Sequence, residues 1–204
     1  QDNEEELQRR FFQMLRMTCF VLFPLMMGLA ALAEPVVRLL LTDKWIETVP
    51  LIRILCFAWI WWPASNMSWQ LLNAKHRSDY CLKAEIIKKV IAISILVFSL
   101  FWGIKVVCIG MLLYYVADVY VITVFSARVL PGVTFASEMK SMLPILAYAA
   151  VMGTGVYLLD HMISSDAVSL AAGTAAGIVL YMAVTLLTGS REAWYLLEMI
   201  KKRR

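Results

Sequence analysis

AVSLAAGTAAGIVLYMAVTLLTGS, residues Ala167–Ser190, runs its whole length without a charged side chain. A bilayer core about 30 Å thick takes roughly 20 helical residues, so this stretch is long enough to cross one. A soluble helix of that length keeps a polar face for water. The pattern repeats on moving outward. Ser141–Leu159, Ile54–Ala74 and Met17–Ala33 also carry no charge. Val106–Ala127 is interrupted only by Asp118, and Val90–Ile104 is uncharged but short. Six apolar runs separated by charged clusters predict an all-α, polytopic transmembrane helical bundle of six spans.

The composition agrees. Hydrophobic residues make up 61% of the 204-residue chain and charged residues 17%, with a net charge of +4 and a mean hydropathy of +0.73. Soluble domains carry about 25% charged residues. The small net charge argues against nucleic acid as a partner, and the long apolar runs point to membrane lipids. Cys19, Cys56, Cys81 and Cys108 are scattered, with no CxxC and no His at ligand spacing. They read as small packing residues rather than a disulfide framework or a metal site. The opening QDNEEELQRR is rich in acids and is not a signal peptide; the chain reads as a piece of a longer protein. Three regions are expected: a cytoplasmic lead-in helix over 1–16, a six-helix transmembrane domain over 17–188, and a basic amphipathic tail over 189–204.

The spans are expected at about Phe12–Leu41, Glu47–Asn73, Cys81–Trp102, Lys105–Val129, Ser141–Leu159 and Ala167–Thr188. Pro24 and Pro35 fall in the first, a placement that membrane helices tolerate better than soluble ones. Threading the chain through six spans puts both termini on one side. That side collects all but Arg38, Lys44, Arg53 and Lys105 of the 19 Lys and Arg residues. Cytoplasmic loops carry the excess of basic residues, so both termini are expected in the cytoplasm.

Several stretches resemble a known family. FPLMMGLAALAEP (Phe23–Pro35) leads into VVRLLLTDKW (Val36–Trp45), followed by TVPLIRILC (Thr48–Cys56) and LLNAKHRSDYCLKAEIIKK (Leu71–Lys89). Together they resemble the Wzx-type polysaccharide flippases, the lipopolysaccharide biosynthesis proteins of the superfamily that also holds the multidrug and toxin extrusion transporters. The resemblance extends over about Leu7–Asp160. His76 departs from it, standing where the family more often has a small residue. The resemblance implies a two-lobe transporter in the bacterial inner (cytoplasmic) membrane, of which this chain is a C-terminal part. It implies an N-terminal lobe of the same protein as partner, no cofactor, and an undecaprenyl-diphosphate-linked oligosaccharide as substrate. The alternatives are a multidrug-type cation antiporter of the same superfamily and a membrane-embedded glycosyl-lipid enzyme.

Six residues stand out as candidates for binding a substrate or ion. Asp118 lies mid-span, where a carboxylate costs about 2.5–3.5 kcal/mol to insert, so it reads as either a cavity-facing acid or a tie to a neighbouring hydroxyl. Tyr114 and Tyr115 fall on its helix face at i−4 and i−3. Arg38 and Arg53, near the outer ends of spans one and two, have the fork geometry that suits a diphosphate. They also read as interfacial residues paired with Glu34 or Glu47. Lys88 begins span three beside Glu85 and Lys89, which sit at the i,i+4 spacing of a helix-stabilising pair. Trp61 and Trp62 lie mid-span rather than at an interfacial belt, and aromatic faces can stack on sugar rings or meet lipid. Gly173 and Gly177 form a GxxxG suited to close packing within the chain. No catalytic motif is present: His76 and His161 fall on opposite sides of the membrane, and there is no GxSxG, P-loop or HExxH.

Overall fold

The computed structural model describes residues 2–163, 165–190 and 192–193, and every regular element in them is helical. The basic tail expected over 189–204 falls almost wholly outside the described residues. In order the helices are α1 (Asp2–Ala31), α2 (Ala33–Leu41), a 3₁₀ turn (Asp43–Thr48), α3 (Val49–Trp59), α4 (Trp62–Ala74), α5 (Ser78–Leu100), α6 (Ile104–Val129), α7 (Phe135–Asp160) and α8 (Asp166–Leu187).

Among the described residues, five segments are long and apolar enough to cross a membrane: Glu4–Ala31, Asp43–Ala74, Ile104–Val129, Phe135–Asp160 and Asp166–Leu187. The expected third span is the exception. Helix α5 has 23 residues, about 35 Å at 1.5 Å per residue, so length is not what it lacks. Its first half carries Asp79, Lys83, Glu85, Lys88 and Lys89, which lowers its apolarity. Its second half is of lipid-facing character, with Ile93, Val97, Phe98 and Leu100 all exposed. This is a multi-pass membrane protein.

Two expected spans are interrupted. Span one is α1 followed by α2, with a single break at Leu32. Pro24 lies inside α1, whereas Pro35 sits near the start of α2, where its missing N–H costs least. The break barely disturbs the ladder, because the Leu32 N–H still reaches the Gly28 carbonyl at 2.9 Å. Span two breaks at Ile60–Trp61, where Pro63 cannot donate to the turn before it; α4 restarts with that proline in its first turn. Thr42 and His76 take positive φ values of 74° and 55° at the two ends of this span. Gly103 (φ 91°) opens α6, and Gly189 (φ 65°) follows α8 in the left-handed conformation that ends helices.

The chain divides into two compact units. The first comprises Gln1–Cys19 and Ile54–Leu143. Here α4, α5 and α6 pack on one another around Leu72, Cys81, Ala84, Ile122 and Phe125. The second comprises Phe20–Arg53 and Pro144–Arg204. Here α2 lies against α8 and the 3₁₀ turn, with Ala33, Val37 and Val49 buried together. The GxxxG face of α8 meets α7 in this unit. A Cβ on Gly177 would stand 3.2 Å from Val156 Cγ2, and one on Gly173 would stand 2.7 Å from Leu32 Cδ2. The small residues thus join elements within the chain, as their spacing suggested.

Candidate functional site

The first unit encloses a polar centre in otherwise apolar helices. Asp118, on α6, is 5% exposed, and Lys88, on α5, is 6% exposed. Their side chains meet directly, Lys88 Nζ lying 2.7 Å from Asp118 Oδ1. Glu85, one turn before Lys88 on α5, approaches the same ammonium at 3.0 Å. The Trp69 ring of α4 lies 5.5 Å from Nζ, within cation–π range. The other Asp118 oxygen accepts a hydrogen bond from the Ser65 hydroxyl of α4. Tyr114 OH approaches Oδ1 at 3.5 Å, a long contact. Three helices therefore converge on one buried ion pair.

Several of the nominated residues meet here. Asp118 has the hydroxyl ties that a structural role would need, and in addition a cation from a neighbouring helix. Lys88 is not a surface anchor; it turns inward. The pair expected between Glu85 and Lys89 forms instead between Glu85 and Lys88, because Lys88 is the residue on the packed face of α5. Of the two phenols expected beside Asp118, only Tyr114 is there. Tyr115 instead has its ring 5.8 Å from Trp59.

A second acid lies in the same unit, and the sequence pattern did not single it out. Glu138, in the first turn of α7, is fully buried. Its Oε1 accepts from Ser68 Oγ of α4 at 2.7 Å, and its Oε2 from Thr123 Oγ1 of α6 at 2.8 Å. Ser126 in turn donates to the Ser68 carbonyl at 3.2 Å. Ser65 and Ser68 are three residues apart on α4, as are Thr123 and Ser126 on α6. Each pair shares a helix face, and α4 links the two carboxylates. These hydroxyl pairs were the available signal, since a polar stripe inside an apolar span calls for a polar partner.

The other nominated residues stand as follows. Trp62 is partly exposed, with its ring 6.3 Å from Trp59. Trp61 occupies the break between α3 and α4, its N–H donating to the Ala58 carbonyl at 3.3 Å. In the second unit, Arg38 pairs with Glu34 at 2.8 Å and lies 3.8 Å from Asp43, which is the interfacial pairing considered above. Arg53 has no carboxylate partner among the described residues. Its Nε donates to the Ala30 carbonyl at 3.2 Å, and its guanidinium lies over the Tyr157 ring at 5.5 Å. Both terminal nitrogens are thereby left available in a fixed plane. At the α4–α5 turn, Arg77 bonds Asp79 at 3.1 Å and lies over Tyr80 at 4.1 Å; the Asp79 hydrogen bond pushes the Arg77 pKa up. All four cysteines are free thiols and buried.

Comparison with known proteins adds a family signal. Residues 1–50 match a family model described as "Polysaccharide biosynthesis protein". The chain is 32% identical over 103 residues to an "Uncharacterized membrane protein in cps region" of Klebsiella pneumoniae, a match covering 50% of this chain and 21% of that protein. It is 30% identical over 88 residues to "Lipopolysaccharide biosynthesis protein WzxC" of Escherichia coli strain K12, covering 43% of this chain and 18% of that protein. The matched region thus spans about a fifth of the length of either curated relative. No solved structure matches the chain.

Proposed function

From this kinship with membrane proteins of polysaccharide biosynthesis, we infer that the chain is part of a transporter that moves a lipid-linked oligosaccharide across the bacterial inner membrane. The expected substrate is an undecaprenyl-diphosphate-linked oligosaccharide, passed from the cytoplasmic to the outer leaflet. On this reading α5 crosses the membrane as a sixth span, both termini face the cytoplasm, and the chain works with an N-terminal lobe of the same protein. Transport would proceed by alternating access, with one lobe rocking against the other around a central site.

The observation that carries this reading is the Lys88–Asp118 pair. Ionisable residues inside membrane helices are costly and mark substrate or ion pathways. A pair shared by α5 and α6 and braced by α4 is an element whose breaking and remaking can accompany a conformational change. Arg53, held in plane with two nitrogens available, suits a phosphate oxygen pair. Trp61, Trp62 and Trp59 offer faces for sugar rings. Arg38, already neutralised by Glu34, is the weakest candidate of the set.

One observation favours the cation-antiport alternative in part. Around Lys88 the acids outnumber the cation, since both Glu85 and Asp118 meet its ammonium. That balance suits a coupling cation better than an anionic substrate at this centre; on this reading a substrate phosphate would bind elsewhere. Deleting the gene and measuring both phenotypes separates the readings. Loss of surface polysaccharide with unchanged drug resistance is expected. Unchanged polysaccharide with heightened drug sensitivity would overturn the flippase reading, and sugar transfer by the purified protein would point to an enzyme.

A further inference from the structure

We propose that Glu138 is a proton-binding site, its carboxyl kept neutral in this conformation by burial without a counter-charge and positioned by hydrogen bonds to Ser68 and Thr123. The proposal needs no assumption about which lipid is moved.

The argument begins with what surrounds the carboxyl. Glu138 is fully buried, and its two oxygens meet only hydroxyls, Ser68 Oγ at 2.7 Å and Thr123 Oγ1 at 2.8 Å. No cationic side chain among the described residues pairs with it. An ionised carboxylate away from water needs a counter-charge, and without one it takes up a proton instead. Asp118 provides the internal contrast. It is also buried and hydroxyl-bonded, but Lys88 stands 2.7 Å away, a counter-charge that Glu138 lacks. The two acids of one unit thus differ in the presence or absence of one ammonium.

The hydroxyls are suited to this. A Ser or Thr oxygen donates one hydrogen bond and accepts two. If Glu138 is protonated on one oxygen, that O–H donates to one hydroxyl, and the other carboxyl oxygen accepts from the second hydroxyl. Both heavy-atom distances suit the protonated acid without moving either hydroxyl. The surroundings offer no competing charge. From α4 come Ser68 and, one turn away, Ser65. From α6 come Thr123 and Ser126, with Asp118 further along and already paired. From α1, the buried Cys19 thiol is the titratable group within electrostatic reach. On α7 itself, Lys140 is exposed. Losing the proton would leave a bare charge between α4, α6 and α7. The state without the proton must then admit water or part these helices, which ties proton release to a change of conformation.

Infrared difference spectroscopy of the whole protein, reconstituted in lipid at neutral pH, tests this. A protonated carboxyl band that shifts on exchange into D₂O is expected. It should be lost in Glu138→Gln and kept in Asp118→Asn. A band that survives Glu138→Gln, or the absence of any such band in the wild type, would overturn the proposal. Should Glu138→Gln fail to fold, Thr123→Val gives a second reading. It removes one hydrogen bond and should move the band to higher frequency; an unmoved band is again refuting. The band is expected to be the same in sodium and choline salts. Its bleaching by sodium alone would mean a metal-cation seat, and would also reject the proton assignment. None of these outcomes depends on oligosaccharide transport, so they leave the proposed function to its own test.

Discussion

Replacing Lys88 and Asp118 singly and together should reveal strong coupling between them. At 2.7 Å and an effective dielectric of about 20, the gross attraction is about 6 kcal/mol. Desolvation removes much of this, and breaking a buried pair by deleting one partner typically costs about 3–5 kcal/mol. The two single changes should not cost the same. Asp118→Asn leaves Lys88 with Glu85 at 3.0 Å, a partly exposed partner, and should fall near 3 kcal/mol on that scale. Lys88→Met leaves Asp118 with only the Ser65 and Tyr114 hydroxyls and should fall near 5 kcal/mol. The double change leaves no buried charge unpaired and should cost no more than the milder single change. The coupling energy is then at least about 5 kcal/mol, roughly a 5,000-fold effect on the folding equilibrium. The assay is reversible unfolding of the whole protein in mixed detergent micelles, with all four variants in one titration series. Neutral hydrogen bonds between membrane helices average about 0.6 kcal/mol, so a coupling of that size would mean a hydrogen bond rather than an ion pair. Additivity within about 0.5 kcal/mol would refute the pairing itself.

Other consequences are more local. Gly177→Val should destabilise the α7–α8 contact by about 1–3 kcal/mol, because the stiff Val156 side chain stands 3.2 Å from the added Cβ. Gly173→Ala should cost less, because the atom it meets is the movable end of Leu32; a reversed order in thermal melts would refute the packing. Tyr157→Leu should lower stability by about 0.5–1 kcal/mol through the lost Arg53 contact, and should do nothing in an Arg53→Lys background if the guanidinium plane is what the ring holds. Ser78→Cys, in a background lacking the four native thiols, should react with an impermeant maleimide only from the cytoplasmic side. Reaction from the outer side of intact cells would overturn the orientation drawn from the basic residues.

The helices and the membrane were legible because they rest on long-range regularities that one chain displays by itself. A run such as Ala167–Ser190 has few other ways to satisfy its backbone. The interruptions at Leu32 and Ile60–Trp61 were less legible. Pro35 and Pro63 signal a disturbance, yet whether a proline bends a helix or restarts it depends on which neighbours take up the freed carbonyls. The polar centre was half legible for a different reason. Asp118 was visible because it interrupts an apolar run. Glu138 was passed over, and Lys88 was nominated without its partner, because charge is what defines the end of a run. Glu138 precedes Ser141–Leu159, and Lys88 precedes Val90–Ile104. A residue at such an edge reads as facing water, headgroups or substrate, and not as meeting a buried partner. Helix periodicity alone does not correct this, since it gives the face of a residue but not what covers that face. The correction lies in the partners. Ser65, Ser68, Thr123 and Ser126 place hydroxyls on single faces of two apolar helices, and such hydroxyls are conspicuous inside a membrane unless something polar meets them. Two stripes of this kind on α4 and α6 require acceptors from elsewhere in the bundle, and the charged residues at the edges of the neighbouring runs are the ones within reach.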